Sequence, residues 1–227
     1  WDGQILVPFA VESALSGVKK PVTDAQKLWY HRTFKVPSSW QKQRVLLHFG
    51  AVDWEATVSV NGKELGTHRG GYDGFSFDIT DALKPSGEQE LVVAVWDPTD
   101  RGPQARGKQV MKPGGIMYTA TTGIWQTPWL EPVNPTHMES VRIVPDIDAG
   151  AVDLTIKVNG SQGNTSVKAE VMDGRKRVTV GEISITGGAG KATSQLKLAV
   201  PNAKLWSPDT PFLYNLKLTL EANGKVV

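Results

Sequence analysis

The chain has 227 residues and no cysteine, which excludes disulfides, thiolate metal ligands and a cysteine nucleophile. Its 25 Lys and Arg against 23 Asp and Glu give a formal charge of +2, so there is no electrostatic case for a nucleic-acid or anionic-membrane partner. The length suits one large or two ordinary domains, and no apolar run approaches the roughly 20 residues of a membrane span.

The first residue is Trp1, with no basic-then-apolar leader behind it. We therefore expect a leader to have been removed and the protein to be periplasmic or secreted. Residues 5–9, Ile-Leu-Val-Pro-Phe, read as a short strand, followed by a loop containing Gly17 and Pro21. Residues 28–37 alternate bulky and polar side chains and predict a strand, as do residues 45–49. The most legible stretch is 50–80. Ala56, Val58 and Val60 alternate with Thr57, Ser59 and Asn61, the period of a strand with one buried face. Asn61-Gly62 suits the two positive φ values of a type I′ turn, so residues 63–68 should return antiparallel. Alternation resumes at Phe75, Phe77 and Ile79. Residues 81–88 allow one helical turn, and residues 90–96, ELVVAVW, are apolar enough to be covered on both faces. From 97 to 123 the pattern dissolves into a long glycine-rich loop, a length more often functional than merely connecting. Residues 124–131 read as a strand again.

Pro128, Pro132 and Pro135 precede a drop in aromatic content, which places a domain boundary near residues 134–137 and predicts domains over 1–135 and 136–227. Strands are predicted at 140–144, 152–158, 167–172, 178–185, 194–200 and 212–220. Their glycine-bearing turns suggest an antiparallel sandwich of immunoglobulin type. Asn223-Gly224 looks like a further hairpin turn with three residues after it, so the closing strand is expected to be short.

Two acid pairs, Asp97 with Asp100 and Asp53 with Glu55, are candidates for glycosidase chemistry, but sequence spacing does not place two carboxyls face to face. Asp97-Pro98-Thr99-Asp100 is also ordinary turn chemistry at a strand end. The four histidines have no metal-ligand spacing, and no metal site or cofactor is expected. A structural calcium held by loop carbonyls and an aspartate would leave no short signature in a jelly roll. Residues 187–193, GGAGKAT, fail as a phosphate loop, because Ala192 stands where a Mg²⁺-binding hydroxyl belongs and a strand follows. Eight tryptophans suggest carbohydrate, since an indole face stacks on a sugar ring. Trp29, Trp54, Trp96 and Trp125 lie on or beside strands and read more naturally as core. The better candidate for substrate binding is the long loop. There Asp100, Arg101, Gln104, Arg106, Lys108 and Gln109 offer hydrogen-bonding groups, with Met117, Tyr118 and Trp125 close behind.

Several stretches in order carry a resemblance: Val7-Pro8-Phe9 with Glu12-Ser13-Ala14-Leu15-Ser16-Gly17; Leu28-Trp29-Tyr30-His31-Arg32-Thr33-Phe34; Asn61-Gly62-Lys63-Glu64-Leu65-Gly66; Thr122-Gly123-Ile124-Trp125-Gln126; and Leu205-Trp206-Ser207-Pro208 with Pro211 and Tyr214. Together they resemble the amino-terminal part of glycoside hydrolase family 2, the β-galactosidases, β-glucuronidases and β-mannosidases. The resemblance implies an all-β fold, a galactose-binding-like jelly roll followed by an immunoglobulin-like sandwich. A missing (β/α)₈ barrel of the same polypeptide would hold both catalytic glutamates of a retaining hydrolase. Members often carry an aspartate six residues before the glycine matching Gly123; here that position is Met117, and a thioether does not accept a hydroxyl as a carboxylate does. The expected role is thus a non-catalytic piece that braces the barrel and lends it a loop, with carbohydrate and the barrel as partners. The alternatives are an autonomous carbohydrate-binding module and a structural spacer.

Overall fold

The computed structural model describes residues 1–161, 163–185 and 190–227, which form two compact units, Trp1–Pro132 and Val133–Val227. The described residues are all-β, with three short 3-10 turns as their only helical segments.

The first unit contains β1 (Leu28–Phe34), β2 (Arg44–Phe49), β3 (Val52–Asp53), β4 (Glu55–Val60), β5 (Lys63–Arg69), β6 (Phe75–Asp78), β7 (Gln89–Trp96), β8 (Gln109–Val110), β9 (Tyr118–Thr119), β10 (Gly123–Ile124) and β11 (Pro128–Val133). One sheet runs β1-β7-β4-β5 and a second β11-β2-β6, with short pairs β10-β3 and β8-β9 beside them. Strict alternation buries Val45, Leu47 and Phe49 from β2 and Ala56, Val58 and Val60 from β4, and these meet Tyr30, Val93, Val95 and Ile79 in one core. The hairpin turn forms as expected, with φ of 49° at Asn61 and 78° at Gly62. Asn61 also clamps the next crossing: its amide donates to Ala82 O at 2.8 Å and to Gln89 Oε1 at 2.7 Å, and its Oδ1 accepts from Glu90 N at 2.9 Å.

Several expectations for this unit's backbone change in detail. Residues 5–9 are not a strand; Leu6 N donates to Ser16 O across a turn, and Ile5 and Val7 are apolar because they pack on the core. The one helical turn allowed after residue 80 is the 3-10 turn Thr80–Ala82, one residue earlier than read, and Pro85 and a positive φ at Gly87 do not continue it. The strand read at 124–131 is two strands, β10 and β11, broken where Trp125 turns to donate its indole N–H to Gly71 O at 2.7 Å. The loop 97–123 is not featureless: β8 and β9 pair in parallel, Gln109 opposite Tyr118, and Asp97, Thr99 and Thr122 are buried at its ends.

The second unit contains β12 (His137–Asp146), β13 (Ala151–Ser161), β14 (Thr165–Asp173), β15 (Lys176–Ser184), β16 (Gly190–Ala199), β17 (Asn215–Ala222) and β18 (Lys225–Val226). Sheets β12-β13-β16 and β15-β14-β17-β18 enclose Leu154, Ile156, Val158, Val167, Ala169, Leu198 and Leu220. Residues 212–214, read as the start of a strand, lie before β17; Tyr214 instead accepts from Lys204 N at 2.9 Å through its hydroxyl. Gly187, Gly188 and Ala189 of the phosphate-loop comparison lie outside the described residues, while Gly190 to Thr193 open β16.

Candidate functional site

The first unit concentrates its polar groups where the long loop rejoins the sandwich. Gly123 of β10 pairs with Asp53 of β3, which draws Thr121 and Thr122 alongside the Asp53 carboxyl. Asp97 arrives at the same place from the end of β7, and Glu12 from the amino-terminal segment, where Val11 N donates to Thr122 O. Asp53 is 4% exposed and Asp97 2%.

Each carboxylate is bound by the loop. Thr122 N donates to Glu12 Oε2 at 2.9 Å, and Thr122 Oγ1 donates to Asp97 Oδ2 at 3.2 Å. Asp97 Oδ1 also accepts from Thr99 N at 2.7 Å, an Asx turn that accommodates the positive φ of Thr99. Gln109 spans the gap: its Nε2 donates to Asp53 Oδ2 at 3.3 Å and its Oε1 accepts from Thr121 N at 2.6 Å. Gly71 packs so tightly here that a Cβ would overlap Asp53 Oδ1.

Among the described residues no basic side chain pairs with Glu12, Asp53 or Asp97, so burial dominates their protonation. Asp53 is pushed up to about 7, first by burial, then by the charge of Asp97, with Glu12 adding a smaller push and the Gln109 amide opposing. Burial also raises Asp97 and Glu12, against the donors from Thr99 and Thr122. Tyr30, whose hydroxyl accepts from Ile124 N at 3.2 Å, is pushed up to about 12 by burial.

The two acid pairs considered from sequence are thus regrouped. Asp53 and Asp97 converge, joined by Glu12, while Glu55 turns away to Arg69 at 2.7 Å and Asp100 accepts from Met111 N at 3.2 Å. The converging acids line no part of the large groove described below, and loop donors occupy them. Their chemistry is that of a clasp. Glu12 and Thr122 stand in motifs quoted from the sequence, but nothing in the sequence pairs them, because they lie 110 residues apart along the chain.

Of the other candidate binding residues, Arg101 is exposed and paired with Asp24 at 3.0 Å, and Arg106 is half-buried with its carbonyl accepting from Gln109 N. Lys108 is exposed and its carbonyl accepts from Tyr118 N at 2.9 Å; Tyr118 itself is 66% exposed beside half-buried Met117. The structure therefore gathers Lys108, Gln109, Met117 and Tyr118 around the β8-β9 pair, and ties Asp100 and Arg101 to separate partners.

A groove of about 760 Å³ opens elsewhere on this unit, lined among others by Trp1, Trp29, His31, Arg32 and Trp129. Trp29 is 56% exposed, so its reading as core is corrected; it sits on the outward-facing phase of β1, beside His31. Trp1 stacks on His31 and Trp129 on His48, each with ring centroids 4.7 Å apart. Trp96 and Trp125 are half-buried and each donates its indole N–H to a backbone carbonyl, Asp24 O and Gly71 O. Among the described residues no group of three or more His, Asp or Glu side chains is arranged to hold a metal, and no helix is long and apolar enough to cross a membrane.

Residues 14–126 match the family described as glycosyl hydrolase 2 galactose-binding domain-like, and residues 136–227 match glycosyl hydrolases family 2. A β-galactosidase of Thermoanaerobacter pseudethanolicus is 28% identical over 204 residues, 88% of this chain and 26% of that protein. A β-glucuronidase of Paenibacillus borealis is 28% identical over 207 residues, 85% of this chain and 33% of that protein. The crystal structure of a Bacteroides uniformis β-glucuronidase superposes with a TM-score of 0.73 at 25% identity, covering 88% of this chain and 25% of that one. The chain thus spans about a quarter to a third of the length of these relatives. Two consecutive matches in the same family, on two β-sandwiches in the order the motifs imply, establish that the chain belongs to glycosyl hydrolases family 2.

Proposed function

We propose that this chain is the amino-terminal, non-catalytic part of a retaining O-glycosidase. The jelly roll braces a carboxy-terminal catalytic barrel of the same polypeptide and lends residues 97–123 to the rim of its substrate pocket. The observation that carries this reading is the coverage: relatives named as glycosidases align with 85–88% of this chain, and the aligned stretch is only 26–33% of their own length. The buried pair Asp53 and Asp97, with half-buried Glu12, is taken up in holding the loop, which supports a scaffolding role. Within the loop, exposed Tyr118 and Lys108 are the groups offered to a sugar, with no cofactor required. The protein acts in the periplasm or outside the cell. A panel of nitrophenyl glycosides incubated with the purified 227-residue chain should show no turnover above buffer. Hydrolysis of any of them would overturn the assignment.

A second reading, an autonomous carbohydrate-binding module, is favoured by one observation: Trp29 and Trp129, 56% and 47% exposed, flank a groove of a size that takes a small ligand. Calorimetric titration with oligosaccharides separates the two. Heat of binding that vanishes in Trp29→Ala supports the module, and no heat supports the barrel-dependent role.

A further inference from the structure

We propose that Glu12, Asp53, Asp97 and Gln109 form an acid-tightened clasp that sets how firmly the 97–123 loop is held to the sandwich. The loop's role at a substrate pocket rests on the reading above; the clasp itself is measured without any sugar, so the two can fail separately.

The geometry makes the argument. The loop returns to the sandwich through Thr121 and Thr122, and the bonds that hold these residues run to the Gln109 amide, Glu12 and Asp97. Gln109 is in turn anchored on Asp53. Asp53 faces Asp97 from β7, Glu12 from the amino-terminal segment, the uncharged Gln109 from β8 and the Gly71 backbone between β5 and β6, and its strand partner is Gly123 of β10. Tyr30 of β1 stands near Glu12 and stays neutral. Two buried carboxyls and a half-buried third, with no cation among them, cannot all carry charge. Asp97 has three donors and Glu12 a backbone N–H, whereas Asp53 has one amide at 3.3 Å. Asp53 is therefore the member that keeps a proton in the closed arrangement.

The direction follows from linkage. When the loop lifts and water reaches Asp53, its carboxyl returns to the ordinary range near 3.8, below its closed-state value of about 7. Between those two limits lifting releases a proton, so each rise in pH favours the open form. Below the lower limit both forms are protonated, and above the upper one both are ionised, so the dependence levels off. The loop is tightest in acid and reaches its loosest near neutrality.

The test is amide exchange on the whole 227-residue chain. Protection factors of the Thr121 and Thr122 amides, corrected for the intrinsic pH dependence of exchange, should fall at least about tenfold between pH 5 and pH 7.5. The amides of Val58 and Val93 should not follow. In Asp53→Asn the change should shrink to less than about twofold. Unchanged protection in the wild type, or a dependence that persists in the variant, overturns the proposal. If the variant loses protection at Val58 and Val93 as well, the ¹³C titration of the Asp53 carboxyl in the unmodified chain decides. A midpoint above 6 supports the clasp, and one near 4 overturns it.

Discussion

The two units use the same strand alternation for different ends. In the second, Leu154, Ile156, Val158, Val167 and Ala169 form an aliphatic core, and the acids whose carboxyls are perturbed are on the surface. Lys197 holds Asp146 below the ordinary carboxylate range, and Arg177 does the same for Glu170. In the first unit, burial instead raises Asp53, Asp97 and Glu12, and seven of the eight tryptophans lie there. The same side-chain chemistry is thus driven in opposite directions by solvent access and by the presence or absence of a cation. What distinguishes the two units here is that the first buries carboxyl groups beside its core.

That contrast can be broken most forcefully at the cores. Phe49 is 1% exposed and packs face to face on Phe75 at 4.9 Å, so Phe49→Ala should cost the first unit about 4 kcal/mol. Urea unfolding monitored by exchange at Val93 measures it; a loss below about 1 kcal/mol would show a core that collapses around the cavity. Next, Gly123 has φ of 101° and no room for a Cβ beside the Tyr30 hydroxyl. Gly123→Ala should therefore cost about 2–3 kcal/mol and displace β10 from β3. An unchanged Tm would remove the glycine from the account of how the loop end is seated.

Asp53→Asn sharpens the comparison through pH. Asp53 sits higher when folded than when unfolded, so its contribution favours folding in acid and is lost as pH rises from about 4 to about 7. The neutral variant should gain about 1–3 kcal/mol over wild type at pH 7.5 and nothing at pH 4, read as paired urea midpoints. The opposite order would show that the ionised carboxylate is the form the fold prefers. Smallest of all, Glu170→Gln weakens pairs between half-buried Glu170 and the more exposed cations Arg177, Lys168 and Lys217, and should shift the melting curve only slightly. A clear loss would mean that surface pairs contribute more to the second unit than their exposure allows.

Legibility differed by the range of the interaction. Asn61-Gly62 announced its hairpin because a positive-φ turn is a property of two adjacent residues. The strands of both sandwiches followed from alternation, a property of five or six. The 97–123 loop was recognisable as unusual, and Gln109 was among its candidates, though its side chain turns inward to Asp53. Residues 5–9 misled because burial against a core and pairing in a sheet demand the same apolar composition. Trp29 misled because a strand beside an open groove need not hide its aromatic residues.

The amino-acid sequence alone determined the all-β class, the strands of four or more residues and the family, because these rest on local periodicity and on motifs that keep their order. Only the tertiary structure decided that Glu12, Asp53 and Asp97 share one largely buried site. Their energies depend on distance and on exclusion of water, and neither is defined until strands remote in the chain are laid side by side.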